Sequence, residues 1–285
     1  MANLLKGMEV VNGMKDRLSA RAEELKKKGV TPCLGIVRIG ERPDDLSYER
    51  GAVKRCEGIG LACKLYSFPA DIDNESFLNE FKKINADASV HGILVFRPMP
   101  KHIDEERVKN SIDPKKDVDC MSDVNMAKVF AGDETGYAPC TPRAVIEMLH
   151  YFNIALKGKR VTLVGRSLVV GKPLAMLLLK EHATLTICHT RTLDLEAECK
   201  KAEILIAAAG AAKMIKASHV GEGATVIDVG INVDDEGKLC GDVDYDAVEP
   251  LVHAVSPVPG GVGAVTTSVL AKHVIKASKM LTPMK

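Results

Sequence analysis

The stretch VTLVGRSLVVGKP, residues 161–173, is the strongest indication of the fold in this sequence. It opens with a short apolar run that predicts a buried strand, and a helical pattern begins at Gly171. Between them, Gly165 allows a tight turn, and Gly171 lets a phosphate approach the N–H groups of a helix N-terminus. The spacing Gly165-x-Ser167-x-x-x-Gly171 is one residue longer than the strict dinucleotide fingerprint. For the glycines alone an ordinary βα loop is the better interpretation, whereas the flanking strand and helix favour a dinucleotide-binding loop.

Strands and helices alternate on both sides of this loop, which indicates parallel βαβ units. Apolar runs predict strands at 33–39, 61–68, 90–96, 160–165, 183–188, 204–209 and 224–230, and helical spacing predicts helices around 11–25 and 77–84, from 171, from 193 and over about 265–280. In PCTPRAVIEML, Thr141 suits an N-cap and Pro142 a first helical position, which places a boundary nearby. We predict an α/β protein with an N-terminal α/β substrate domain over 1–139, on which a final helix at about 265–285 packs back. A Rossmann-like domain with a parallel sheet follows the boundary, over 140–264.

The composition excludes several classes of protein. The 285 residues are 46% hydrophobic and 27% charged, which is typical of a globular protein, and the net charge of +1 provides no field that steers the protein to nucleic acid or membrane. Eight cysteines without a CxxC pair argue against a zinc or redox site. The charged N-terminus is unlike a signal peptide or a membrane span. We therefore expect a cytoplasmic protein with no metal, membrane or nucleic-acid partner.

The strand after the glycine loop ends in CHTRT, where the cofactor preference is expected to be set. Enzymes that prefer NAD usually carry Asp or Glu here to bind the ribose 2′-hydroxyl. This chain has His189, Thr190 and Arg191 instead. Together with Arg166 of the first loop, Arg191 would form a cationic socket for a 2′-phosphate. The alternative is a solvated loop with a chance arginine; the pattern favours NADP.

The stretch SYERGAVKRC, residues 47–56, surrounds one tyrosine with basic side chains. On a helix, a lysine that works beside Tyr48 belongs three or four residues later, and those positions hold Gly51 and Ala52. Lys54, six residues on, points about 120° away from Tyr48. From these residues alone, a catalytic helix and a solvated helix face both remain open.

Three further motifs each have an ordinary structural explanation when taken alone. DPKKDVDCM (113–121) is typical of a polar surface loop, FRPMP (96–100) of a rigid strand exit and PVPGGVG (257–263) of a turn. In combination and in order, these motifs resemble the methylenetetrahydrofolate dehydrogenase/methenyltetrahydrofolate cyclohydrolase family, the bifunctional FolD type, over nearly the whole chain. The other stretches that carry the resemblance are PCTPRAVIEML, VGRSLVVGKPLAMLLL, CHTRT, ATVIDVGIN and GDVDY.

The resemblance implies a substrate domain and an NAD(P) domain that form a cleft, tetrahydrofolate one-carbon substrates, NADP as cofactor and a homodimer. It implies that Tyr48 packs on the aminobenzoyl part of folate, and that Asp119 accepts hydrogen bonds from the pterin N–H groups. The loop with Pro259, Gly260 and Gly261 would line the same cleft. The implied cofactor-binding residues are Gly165, Arg166, Ser167, Gly171, His189, Arg191 and Ile231.

Departures from the family pattern bear on catalysis. The family has Tyr-x-x-x-Lys with a catalytic lysine, which aligns here with Ala52, whereas Lys54 aligns with a second basic position. The glutamine that supports this lysine in the family is replaced here by Phe96. The glycine that follows the pterin-binding aspartate in the family is replaced by Cys120, which follows Asp119. Lys54 stays the candidate acid/base residue only if the helix is overwound or shifted. We therefore predict an active dehydrogenase whose cyclohydrolase step is weak or absent.

Two alternatives remain open from the sequence. Phe96 and Arg97 could reshape the pocket of a related dehydrogenase for a smaller or more acidic substrate. The chain could also be a non-catalytic folate or NADP binder, such as a partner subunit.

Overall fold

The computed structural model describes residues 2–282, and its chain divides into two compact units. The six-stranded unit comprises the residues up to Gly13 together with Thr141–Thr266. The three-stranded unit comprises Met14–Cys140 together with the residues from Thr267 onward. Two long helices near the termini, α1 (Gly7–Lys27) and α10 (Val262–Leu281), contain residues of both units. Among residues 2–282, no helix is both long and apolar enough to cross a bilayer.

The three-stranded unit is built on a small parallel sheet. Its strands are β2 (Cys33–Ile39), β3 (Ala62–Phe68) and β4 (Gly92–Val95), and the helices between or after them are α2 (Pro43–Glu57), α3 (Asn74–Ala86), α4 (Glu105–Ser111) and α5 (Asp123–Ala131). The strand order β3-β2-β4 makes β2 the central strand, which explains why its residues are almost all buried. Helix α3 contributes the buried side chains of Phe77, Phe81 and Ile84 to the hydrophobic core next to this sheet.

The six-stranded unit contains the sheet predicted around the glycine loop. Its strands are β1 (Asn3–Leu4), β5 (Arg160–Val164), β6 (Thr184–Cys188), β7 (Ile204–Ala207), β8 (Thr225–Asp228) and β11 (Ala254–Val255), and its helices include α6 (Cys140–Tyr151), α7 (Gly171–Lys180), α8 (Leu195–Lys200) and α9 (Tyr245–Val248). All pairs in the order β1-β11-β8-β7-β5-β6 are parallel. A separate antiparallel hairpin joins β9 (Asn232–Val233) to β10 (Leu239–Cys240).

The strand order creates a switch point at β5. The chain passes from β5 to β6 on one side and then crosses to β7 and β8 on the other side. In open α/β sheets, ligands bind at the carboxyl ends of the strands where the order reverses. The candidate cofactor loop, which follows β5, lies at this point.

The start of α6 differs from the sequence prediction. The helix begins at Cys140, so Thr141 lies in its first turn and is not the N-cap that we expected. The backbone N–H of Cys140 donates to Oδ1 of Asp119 at 2.9 Å. A carboxylate 21 residues earlier in the chain thus satisfies the first amide of the helix, and local capping patterns contain no sign of it.

The first described residues of the chain join the sheet of the six-stranded unit. Asn3 and Leu4 pair in parallel with Ala254 and Val255, which places the segment up to Gly13 in the six-stranded unit. The predicted N-terminal domain, 1–139, included this segment. A two-residue strand carries too little periodicity to reveal its partner, because pairing over such a distance depends on the completed sheet.

Candidate functional site

The loop after β5 is closely packed around its two glycines. Gly165 has φ +128°, and a side chain there would place its Cβ 2.0 Å from the carbonyl oxygen of Ala208. A Cβ on Gly171 would lie 2.4 Å from the carbonyl oxygen of Gly165. The backbone therefore folds back on itself at the start of α7, as a loop that brings helix N–H groups close to a phosphate requires.

Replacement of Gly165 by alanine is expected to destabilise the protein by at least about 1 kcal/mol, because φ is unfavourable and the methyl group meets backbone. Thermal or urea unfolding measures the loss. Gly158→Ala is the matched control, since Gly158 also has positive φ, +75°, but has nothing within 4 Å of its added Cβ. An equal loss of stability in the two variants would contradict the close packing at Gly165.

Ser167 shapes this loop from within. Its Oγ accepts hydrogen bonds from the backbone N–H groups of Val170, at 3.1 Å, and Gly171, at 3.4 Å. Its carbonyl oxygen accepts from Lys172 N–H at 2.9 Å. Ser167 thus orients the first amides of α7, and the exposed Arg166 precedes it in the same loop.

The loop after β6 is a tight turn that presents Arg191. The His189 N–H donates to Oγ1 of Thr192 at 2.9 Å, and Nδ1 of His189 accepts from the Arg191 N–H at 3.1 Å. The Arg191 side chain is exposed. The ring of His189 therefore fixes the turn, while the guanidinium of Arg191 is accessible beyond the carboxyl end of β6.

The glycine-rich loop before α10 packs on the start of α1. The N–H of Gly7 donates to the carbonyl oxygen of Gly260 at 2.8 Å, and Gly261 is buried, while Pro259 and Gly260 are exposed. Gly260 has φ +100°, a conformation that favours glycine. Ile231, after β8, exposes 69% of its surface.

Helix α2 is held in a fixed rotation against β2. The Glu49 carboxylate pairs with Nε of Arg38 at 3.1 Å, and both side chains are buried. Arg38 also donates to Oγ of Ser67 at 3.0 Å and to the carbonyl oxygen of Gly40. Because a buried charge must keep its partner, this pair strongly resists rotation of the helix.

This rotation determines which side chains of α2 face inward. Ala52 is fully buried, whereas Lys54 lies on the exposed face, two residues or about 200° further round. Helix α2 is α-helical throughout Pro43–Glu57, without the overwinding that would bring Lys54 inward. Tyr48 is half-buried, and its ring meets that of Phe96 edge to face, with the centroids 5.9 Å apart.

The two aspartates of DVD have different environments. The Asp117 carboxylate accepts from the N–H groups of Met121 (2.8 Å) and Ser122 (2.9 Å), the Ser122 hydroxyl (2.6 Å) and the Asn125 side-chain amide (2.8 Å). Asp117 is therefore saturated with donors and holds the start of α5. Asp119 accepts from the Cys140 N–H through Oδ1, and it is partly exposed.

Asp119 is the carboxylate that fits a ligand role. Although the residue is partly exposed, desolvation of its carboxyl group raises the pKa of Asp119, while the Cys140 hydrogen bonds and the charge of Arg97 act in the opposite direction. Nη1 of Arg97 lies 3.8 Å from Oε1 of Glu105. The next residue, Cys120, is buried with φ +58°, a left-handed conformation in which glycine is the favoured residue.

Sequence reasoning gave no role to two buried carboxylates in the six-stranded unit. Asp228 ends β8, and Asp242 follows β10; the exposed fractions of the two residues are 3% and 0%. The sequence signal was weak: Asp228 stands two residues before Gly230, and Asp242 directly follows Gly241. Within the part of the chain that the structure describes, no three His, Cys, Asp or Glu side chains are grouped so as to hold a metal ion.

Comparison with known proteins agrees with this arrangement. Residues 5–119 match the sequence model of the tetrahydrofolate dehydrogenase/cyclohydrolase catalytic domain, and residues 139–282 match that of the NAD(P)-binding domain of the same enzymes. The bifunctional protein FolD of Clostridioides difficile (strain 630) is 54% identical over 277 residues, covering 97% of this chain and 96% of the relative.

Two solved structures of FolD enzymes are similar to this chain over nearly its whole length. The bifunctional FolD enzyme of Campylobacter jejuni superposes with a TM-score of 0.95 at 36% identity, covering 98% of this chain and 99% of that one. FolD of Trypanosoma brucei, solved with NADP cofactor and an inhibitor, superposes with a TM-score of 0.92 at 32% identity, covering 98% of each chain. The family resemblance and the two-domain α/β fold predicted from sequence are confirmed, and the chain belongs to the tetrahydrofolate dehydrogenase/cyclohydrolase family.

Proposed function

We propose that this protein oxidises 5,10-methylenetetrahydrofolate to 5,10-methenyltetrahydrofolate with NADP, and that its cyclohydrolase step to 10-formyltetrahydrofolate is weak or absent. Family membership supports the dehydrogenase. The second part depends on one observation: the position of the family's catalytic lysine is occupied by the buried Ala52, while Lys54 lies on the exposed face of α2. Turnover of methylenetetrahydrofolate with NADP, measured by the absorbance of NADPH, tests the dehydrogenase.

The residues at the switch point fit NADP. The glycine loop leaves no room for a Cβ at Gly165 or Gly171, as expected where backbone must come close to a pyrophosphate. Arg166 and Arg191 are exposed, basic and located after adjacent strands, so both are suited to a 2′-phosphate. The T. brucei relative was solved with NADP. When bound, NADP supplies the hydride acceptor.

The protein's part in the dehydrogenase step is mainly to position the substrate. The ring nitrogens of methylenetetrahydrofolate push out the hydride with their own lone pairs, so no side chain has to act as a base. Tyr48 offers a half-buried aromatic surface for the aminobenzoyl ring. Asp119 offers a carboxylate to the N–H groups of the pterin.

Cyclohydrolysis makes a different demand on the site. Water must lose a proton and a ring nitrogen must gain one, so a positioned acid/base group is needed. Arg38 and Glu49 hold α2 in the rotation that keeps Lys54 outside. Phe96, which stands at the position of the supporting glutamine, has no polar atom to offer. We therefore expect this protein to have dehydrogenase activity and little or no cyclohydrolase activity.

Asp119→Ala is expected to weaken folate binding by about 5- to 150-fold, which corresponds to about 1–3 kcal/mol, because pterin donors would be left unpaired. NADP affinity should stay close to the wild-type value. Titration of each ligand by fluorescence or calorimetry measures both affinities. Asp71→Ala, at an exposed position of the same unit, serves as the control. Unchanged folate binding in Asp119→Ala would remove Asp119 from the substrate site.

One specific feature keeps a second substrate in consideration. Phe96 replaces an amide with a ring and Arg97 adds a positive charge, which would suit a smaller or more acidic ligand. Absence of NADPH formation from methylenetetrahydrofolate, combined with weak folate binding, would favour this related dehydrogenase. Tight folate binding without turnover would favour a non-catalytic binder.

We also propose that the protein is a cytoplasmic homodimer. All eight cysteines are free thiols, as in proteins of reducing compartments. The family resemblance supports association of two chains. Sedimentation equilibrium of the purified protein measures the oligomeric state.

A further inference from the structure

The loops that follow β7 and β8 are tied together by the buried carboxylates Asp228 and Asp242. Among parallel strands, both loops lie at the same edge of the sheet, on the side of the switch point away from β6. The side beyond β6 carries Arg191, the residue assigned to the adenosine 2′-phosphate. A dinucleotide that crosses the switch point therefore extends its nicotinamide half toward the loops of β7 and β8.

The Asp242 carboxylate accepts four hydrogen bonds, three of them from the loop after β7. Its Oδ2 accepts from the backbone N–H groups of Ala209, at 2.6 Å, and Gly210, at 3.0 Å. Its Oδ1 accepts from the N–H of Ala211 at 2.8 Å and from the side-chain amide of Asn232 at 2.9 Å. One fully buried carboxylate thus gathers three consecutive amides of one loop and the first residue of β9.

Asp228 positions Asp242 in turn. Its Oδ1 accepts from the N–H groups of Gly230 (2.9 Å) and Asp242 (3.0 Å), and its Oδ2 accepts from the N–H of Val243 (2.9 Å). The N–H of Asp228 donates to Oγ of Ser256 at 2.8 Å. The carboxylate at the end of β8 therefore fixes the backbone of Asp242, whose side chain fixes the loop after β7.

The neighbouring glycines show how closely these groups pack. A Cβ on Gly230 would lie 2.3 Å from Oδ1 of Asp242, and a Cβ on Gly241 would lie 1.9 Å from Oδ2 of Asp228. The segment from Asp228 to Asn232 includes Ile231, which is held between two of the hydrogen-bonded residues but is itself exposed. The two carboxylates are thus buried beneath these loops, and outer residues of the loops are exposed and can contact a ligand.

We propose that Asp228 and Asp242 are positioning residues for the nicotinamide half of the cofactor, acting through the loop 208–211 and the segment 229–232. The proposal rests on the proposed function, because it assumes that NADP binds at the switch point. Neither carboxylate touches the cofactor in this proposal. Each orients backbone that does, so its loss should affect the nicotinamide end and leave the adenosine end unchanged.

The test compares two ligands in Asp242→Asn. The asparagine keeps the shape of the side chain but replaces one acceptor by an NH₂ group, which faces amide donors. NADPH affinity is expected to fall about tenfold or more, since hydrogen bonds to a charged group are lost. Affinity for adenosine 2′,5′-bisphosphate, which lacks the nicotinamide, should stay within about twofold. Asp235→Asn, at an exposed position of the same hairpin, should change neither affinity.

A milder variant keeps the proposal testable if Asp242→Asn does not fold. Asn232→Leu removes one side-chain donor and leaves the backbone bonds to Asp242 in place, and it should weaken NADPH binding about fivefold without affecting the bisphosphate. Equal losses for both ligands, or no loss for NADPH, would overturn the proposal. A wild-type protein that binds neither ligand would instead refute the proposed function, and the two failures are therefore distinguishable.

Discussion

Methenyltetrahydrofolate hydrolysis is expected to stay near the spontaneous rate in the wild-type protein and to rise by about 10²–10⁴-fold in Ala52→Lys combined with Phe96→Gln. The double replacement restores a lysine one helical turn after Tyr48, together with an amide to support it. Phe96→Gln also removes the ring that meets Tyr48 edge to face. The loss of absorbance of the methenyl compound, corrected for the reaction without enzyme, measures the rate.

Lys54→Ala is the control for this prediction. The Lys54 side chain is exposed, so its removal should change neither hydrolysis nor the dehydrogenase. Efficient wild-type hydrolysis that disappears in Lys54→Ala would show that Lys54 reaches the substrate after a shift of α2. Efficient hydrolysis that survives in Lys54→Ala would point to another acid/base group. Either result would refute the proposal of a vacated lysine position.

Arg191→Ala and Arg166→Ala are each expected to lower the preference for NADP over NAD by about 10- to 100-fold. Each loses charge-assisted hydrogen bonds to the 2′-phosphate, and the affinity for NAD, which lacks that group, should change little. The ratio of kcat/KM for the two cofactors measures the preference. Arg21→Ala, at an exposed position of α1, tests for a general effect of the lost charge. An unchanged ratio in both site variants would show that the 2′-phosphate binds elsewhere.

The parts of the site that follow local rules could be predicted from sequence. The strand, Gly165 and the helix from Gly171 appear where the hydrophobic pattern placed them, because turn and helix signals act over a few residues. The inward position of Ala52 and the outward position of Lys54 follow from the period of a helix once Tyr48 is placed. Only the structure shows that the ion pair between Arg38 and Glu49 fixes the rotation of α2 and so determines which of its faces is buried.

The parts that depend on distant contacts could not be predicted. Asp117 and Asp119 lie two residues apart and look equivalent in the sequence, yet one binds the start of α5 and the other meets the amide of Cys140. Asp228 and Asp242 gain their roles only when the ends of β7 and β8 come together. Hydrogen bonds of this kind join segments whose proximity is a result of the fold.

The parallel pairing of Asn3 with Ala254 has a consequence for biosynthesis. The two paired strands are separated by almost the whole length of the chain. Strand β11 also lies between β1 and the other strands of the sheet. A ribosome-bound chain cannot add β1 until the segment around Ala254 has left the exit tunnel, whereas β2, β3 and β4 come from one short stretch of the chain. Strand β1, although it is made long before β11, therefore takes its place in the sheet among the last.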